Sequence, residues 1–204
     1  MRGAGFGSPR SGLSIVISLL LVVGVTPAAR ASEPEGGRNE RGGLVLGIGS
    51  GLGRLISPGL DDGGYGQGGL VGGILDLRIG VGFTEDVALY VESLTVAGVE
   101  RAPGAADRLL IEHALLTVQL FVEPVDPHLY ARGGAGVAIV RHRRSATSAD
   151  NQTTIGGAIG GVLGYEWRFG RVLGLSLELG TLFEVTGEFL SATPLGMLGA
   201  KAYF

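Results

Sequence analysis

Three histidines, a few serines and two kinds of charge cluster carry whatever chemistry this chain can do. Acyl transfer or ester hydrolysis needs a histidine beside a serine nucleophile and an acid. His113 follows Glu112, and Ser93 and Ser191 stand in other segments that a fold might bring alongside. No nucleophile motif surrounds either serine, so polar rim residues are the plainer reading. His128, next to Pro127, reads as a turn residue. Gly64-Tyr65-Gly66-Gln67-Gly68-Gly69 matches G-x-G-x-x-G, but it sits in a loop that runs into a strand, whereas a dinucleotide site follows a strand and opens a helix. Gly156 and Gly160 form a GxxxG spacing in an apolar stretch too short for the helix that would use it. The chain has no Cys, which removes thiol catalysis, thiolate metal sites and disulfides together. The expectation is no catalytic residue, no cofactor and no metal.

The charges are better organised. Asp76, Arg78, Glu92, Arg132, Glu166, Arg168, Glu178 and Lys201 all fall within segments of strict apolar–polar alternation, on the polar phase. In Leu75-Asp76-Leu77-Arg78-Ile79-Gly80-Val81-Gly82-Phe83 every odd residue is large and apolar. The beat returns in Leu173 to Gly180, in Leu163 to Phe169 and in Leu129 to Val140. A period of two over such lengths is a strand with one apolar face, and glycine at this density, 39 in 204 residues, disfavours helix. Eight segments are expected, near 43–54, 68–83, 87–98, 109–123, 128–141, 153–169, 172–185 and 192–204. Tight turns (84–86, 124–127, 170–171) alternate with longer connections (55–67, 99–108, 142–152, 186–191), as in a meander whose short turns share one end.

Residues 1–31 read as a cleaved signal peptide. Arg2 and Arg10 precede thirteen mostly apolar residues, Leu13 to Val25, and Ala29-Arg30-Ala31 offers small-x-small cleavage. The run is shorter than the about 20 residues of a spanning helix. Residues 32–42 are a polar leader, read as disordered, and 43–204 the folded domain. Cleavage would remove three Arg and no acid, taking the net charge from −3 to −6 and arguing against a nucleic-acid partner.

Two stretches carry a family resemblance: the strand–turn–strand Asp76 to Leu89 and the run Asp126-Pro127-His128-Leu129-Tyr130-Ala131-Arg132-Gly133-Gly134-Ala135-Gly136. Together with the alternation over 43–204, they make the chain resemble the small eight-stranded outer-membrane barrels of the outer-membrane protein A, X and W type. The resemblance implies an all-β, eight-stranded antiparallel up-and-down transmembrane β-barrel in a bacterial outer membrane. It also implies that the terminal strand ending in Phe204 is read by the outer-membrane assembly machinery, although Ala200 and Ala202 are smaller than the family prefers. A soluble barrel would share the alternation. Loop sorting, the terminal aromatic and a periplasmic girdle of Phe83, Phe121, Tyr130, Trp167, Phe169 and Phe204 favour lipid. The eight alternating charges are then expected to cross-pair inside the lumen. Arg141, Arg143 and Arg144 are expected to meet lipopolysaccharide phosphates at the outer rim. The expected role is structural or interactive and without catalysis, in a monomer. A narrow ion or small-solute channel and a lipid-modifying enzyme are the alternatives.

Overall fold

The computed structural model describes residues 41–56, 70–102, 105–122, 126–143, 151–187 and 189–204. Residues 1–31, expected to be a signal peptide, most of the expected polar leader, the Gly64–Gly69 motif and Arg144 lie outside the described residues. Eight strands follow one another: β1 Gly43–Leu55, β2 Leu70–Gly82, β3 Val87–Ala102, β4 Ala105–Val122, β5 Asp126–Arg143, β6 Asn151–Phe169, β7 Leu173–Thr186 and β8 Phe189–Tyr203. Each pairs antiparallel with the next, and β1 closes on β8 from Val45↔Tyr203 to Gly53↔Leu195, giving a closed barrel. The closing ladder resumes at Ile56↔Ala192, beyond Pro194, whose ring nitrogen has no N–H to give.

The alternation sorts the side chains inside out. On β7, Ser176, Glu178, Leu182 and Glu184 are buried, while Leu175, Leu177, Leu179 and Phe183 are exposed. On β2, Asp76 and Arg78 are buried between exposed Leu75, Leu77 and Ile79. The whole circumference thus presents apolar side chains outward. A soluble protein rarely exposes a contiguous apolar surface of that extent, whereas hydrocarbon solvates it and closure leaves no unpaired strand edge.

The strands run further than the hydropathy pattern. The connection expected over 99–108 is mostly ladder, with Val99↔Arg108, Glu100↔Asp107 and Ala102↔Ala105 paired. The one expected over 186–191 closes between Thr186 and Phe189, with Gly187 at φ 62°. Two of the four connections at that end are therefore tight, and the expected sorting of loop lengths holds only for the other two. Backbone pairing does not depend on side-chain hydropathy, so a ladder continues where the apolar beat stops. At the opposite end the β2–β3 turn is held by Thr84, whose Oγ1 accepts the N–H groups of Asp86 and Val87 at 3.2 and 3.1 Å.

Candidate functional site: a layered lumen

Inward residues stack in layers. At the turn end Val45, Ala88, Tyr90, Phe121, Tyr130 and Tyr203 are buried together with Arg41. Arg41 was expected in a disordered leader. Instead its guanidinium lies 3.5 Å from the Phe121 ring centroid, and it donates to the carbonyls of Glu85 (3.2 Å) and Pro127. One side chain thereby ties two turns and an aromatic across the mouth. A cation over a ring face gains from the ring quadrupole, more so when desolvated.

Above this floor lies the ion layer. Glu178 is its hub: Arg78 donates to both carboxylate oxygens, at 2.7 and 2.7 Å, and Arg132 adds a bond to Oε2 at 2.9 Å. Tyr130 and Ser176 also donate to Glu178, at 2.5 and 3.1 Å. Arg78 pairs with Asp76 as well, and Arg132 with Glu92 at 3.2 Å. A second group sits toward the turns: Lys201 Nζ reaches Glu166 at 2.9 Å and Gln119 at 3.1 Å, over the Tyr130 ring at 4.0 Å, and Tyr203 donates to Glu166 at 2.8 Å. Charges taken this far from water are tolerable only when paired and hydrogen-bonded, as these are. Asp76, Arg78, Glu92, Arg132, Glu166, Glu178 and Lys201, all expected in the lumen, thus each contact an opposite charge. Arg168 lies at the turn-end mouth, over the Tyr203 ring at 4.4 Å, and donates to the Arg171 carbonyl at 2.8 Å.

Toward the loop end the lumen turns apolar. Ile74, Leu94, Leu115, Leu182, Leu195 and Met197 are buried across the barrel from one another. Between ion layer and apolar layer is a cavity of about 20 Å³, bounded by Glu92, Thr117, Arg132, Leu94, Leu115 and Leu182 among others, room for about one water.

A second polar group, around His113 and Ser191, is not at the rim but embedded in the apolar part. His113 Nδ1 donates to the Leu94 carbonyl at 3.0 Å, and Nε2 faces Glu184 Oε1 at 2.9 Å. Ser191 and Thr193 donate to the same carboxylate at 2.5 and 3.4 Å. The contact crosses the lumen from β4 to β7 and β8, strands that are not neighbours. Glu184 stands between Ser191 and the imidazole, so the histidine is not placed on the hydroxyl it would have to deprotonate. Ser93 and Glu112, the other candidates, are on the outer face. His128 is at the turn end, with Nδ1 donating to the Glu166 carbonyl at 2.9 Å.

Two girdle assignments are corrected. Phe121 and Tyr130 point into the lumen, 8% and 0% exposed, with ring centroids 5.3 Å apart. Tyr203, on the phase of Lys201, is inside too. The strand phase already required this: Tyr130 is two residues from Arg132 and Phe121 two from Gln119, so each pair shares a face. Phe83, Trp167, Phe169 and Phe204 are outside, and Tyr165 joins Trp167 there at 5.1 Å. The same counting would have found Glu184, in phase with Glu178, and Thr193, in phase with Lys201. At the loop end of β5, Arg141 is half exposed and pairs with Glu112 of β4 at 2.9 Å.

No family model and no curated protein matches the chain. Solved structures do. Neisserial surface protein A superposes with a TM-score of 0.57 at 11% identity, over 79% of this chain and 97% of that one. The attachment invasion locus protein of Yersinia pestis, Ail, superposes with a TM-score of 0.55 at 14% identity, over 80% and 99%. The same protein in complex with the heparin analogue sucrose octasulfate gives 0.57 at 14% identity over the same shares. The chain has the fold of the small eight-stranded outer-membrane barrels.

Proposed function

We propose that this is an integral outer-membrane barrel with a sealed lumen, acting as a structural or interaction protein and not as a channel or enzyme. The observation that carries the reading is the stacking of a paired ion layer beneath an apolar layer. An ion path needs continuous polar or hydrated lining; here Ile74, Leu94, Leu115, Leu182, Leu195 and Met197 fill the lumen around a His113–Glu184 pair whose bonds are turned on each other, on Thr193 and on the Leu94 carbonyl. The outward apolar belt and the fold shared with outer-membrane proteins support the location; the leader over 1–31 supplies the export route and the terminal strand the contact with the assembly machinery.

Purified barrel in planar bilayers should be silent under voltage. Conductance steps that change in Arg132→Ala would replace this reading with a narrow channel. The rim reading is that Arg141, Arg143 and Arg144 meet the phosphates of lipopolysaccharide. Arg141 stands half exposed at the loop end of β5, beside Glu112 of β4. Replacing all three with Gln should lower lipopolysaccharide co-purification; an unchanged yield removes the contact from the proposal.

A further inference from the structure

We infer that His113 and Glu184 form a proton-binding site whose bound proton keeps the apolar layer of the lumen free of net charge. The inference rests on the sealed lumen proposed above and names the ligand on which that seal depends. His113 sits on β4, with Leu94 of β3 and Ala138 of β5 as its register partners. Glu184 sits on β7, between Ala158 of β6 and Ser191 of β8. Their side chains meet across the barrel, and both are buried.

The roles of the ring nitrogens require the proton. A neutral imidazole has one N–H donor and one bare acceptor nitrogen. Both nitrogens of His113 face oxygen: Nδ1 the Leu94 carbonyl at 3.0 Å, and Nε2 the Oε1 of Glu184 at 2.9 Å. A carbonyl only accepts, so Nδ1 carries its hydrogen. With Nε2 bare and Glu184 ionised, a lone pair would point at a carboxylate oxygen at hydrogen-bond distance. One further proton between Nε2 and Oε1 turns that repulsion into a charge-assisted hydrogen bond. Ser191 donates to Oε2 at 2.5 Å and Thr193 to Oε1 at 3.4 Å. Donors thus surround the carboxyl group, and the proton belongs on the ring.

No neighbouring charge can replace it. The buried inward residues of β1, β2 and β6 in this layer are Leu55, Ile74 and Ala158. Arg54 of β1, Glu112 of β4 and Arg141 of β5 stand on the outer phase of their strands. Glu92 of β3 and Arg132 of β5 pair with each other in the ion layer beneath. Among the described residues, then, only the imidazolium balances the charge of Glu184. A buried carboxylate without a counter-charge is prohibitive. Release of the proton to bulk water therefore draws water into the layer that Leu94, Leu115 and Leu182 keep dry.

Nuclear magnetic resonance of the barrel in lipid nanodiscs at neutral pH, with isotope-labelled histidine and glutamate, reads the proton directly. The side-chain signals are assigned through their backbone amides, so the wild type decides without any variant. Both His113 nitrogens should be protonated beside an ionised Glu184, and Glu184→Gln should leave Nε2 bare. A protonated carboxyl beside a singly protonated ring is the same bound proton on the other partner and also supports the site. A singly protonated ring beside an ionised Glu184 overturns it. Amide hydrogen exchange reads the seal, with a gel shift on heating to report that each variant is folded. His113→Gln leaves the carboxylate without its proton and should quicken exchange at the loop ends of β4 and β7 by about tenfold or more. Adding Glu184→Gln should slow it again. A single variant as slow as wild type, or a double variant as fast as the single one, overturns the proton's hold on the seal. Conductance through a wild type whose ring is doubly protonated fails the sealed lumen and leaves the proton site standing.

Discussion

Glu178 concentrates the energetics of the lumen in a single carboxylate. Two guanidiniums, a phenol and a serine hydroxyl converge on it in a site closed to water. Glu178→Ala leaves Arg78 and Arg132 to Asp76 and Glu92 and takes the shared acceptor away from four buried donor groups, at about 1–3 kcal/mol for each donor left unsatisfied. The lowered urea midpoint of the lipid-inserted barrel should record it. Replacing Arg168, which stacks over Tyr203 at the mouth, should cost far less. The His113–Glu184 contact makes a separable test. Each single alanine variant strands the other partner in the apolar layer, so a double-mutant cycle with both should deviate from additivity by about 0.5–3 kcal/mol. An additive cycle would mean that the two side chains are neighbours and not partners.

At the scale of the strand, the period of two decides which residues meet lipid and which meet each other. Glycines divide accordingly. A Cβ on Gly164 would enter the Tyr130 ring, whereas one on Gly73 meets nothing within 4 Å. Gly164→Ala should therefore destabilise by about 1–3 kcal/mol through overpacking, and Gly73→Ala should be neutral or stabilising by less than about 1 kcal/mol. Denaturant midpoints of the two variants check the contrast; equal values would mean that Tyr130 moves aside freely. Strand phase was legible in the sequence to the residue, as Asp76, Arg78 and Glu178 demonstrate. Strand length was not, because Val99↔Arg108 and its neighbours pair through backbone groups that leave no hydropathy signal.

For the whole molecule, closure is the source of stability: every strand has two partners, and in hydrocarbon an unpaired backbone group costs several kcal/mol. Unboiled barrel should run differently from boiled barrel on a denaturing gel, and identical migration would count heavily against a lipid-inserted barrel. Periodicity alone determined that the chain makes eight strands with charges on one face, since side-chain direction in a strand is fixed by residue parity. It could not say which charge meets which. Glu178 on β7 meets Arg78 on β2 and Arg132 on β5, and Glu184 meets His113, only because closure brings opposite walls of one narrow lumen within a side chain's reach. The apolar seal was hidden for the same reason: Leu94, Leu115, Leu182 and Leu195 look in sequence like ordinary apolar positions. Their inward phase becomes a barrier to ions only when the curved sheet turns them toward a common axis.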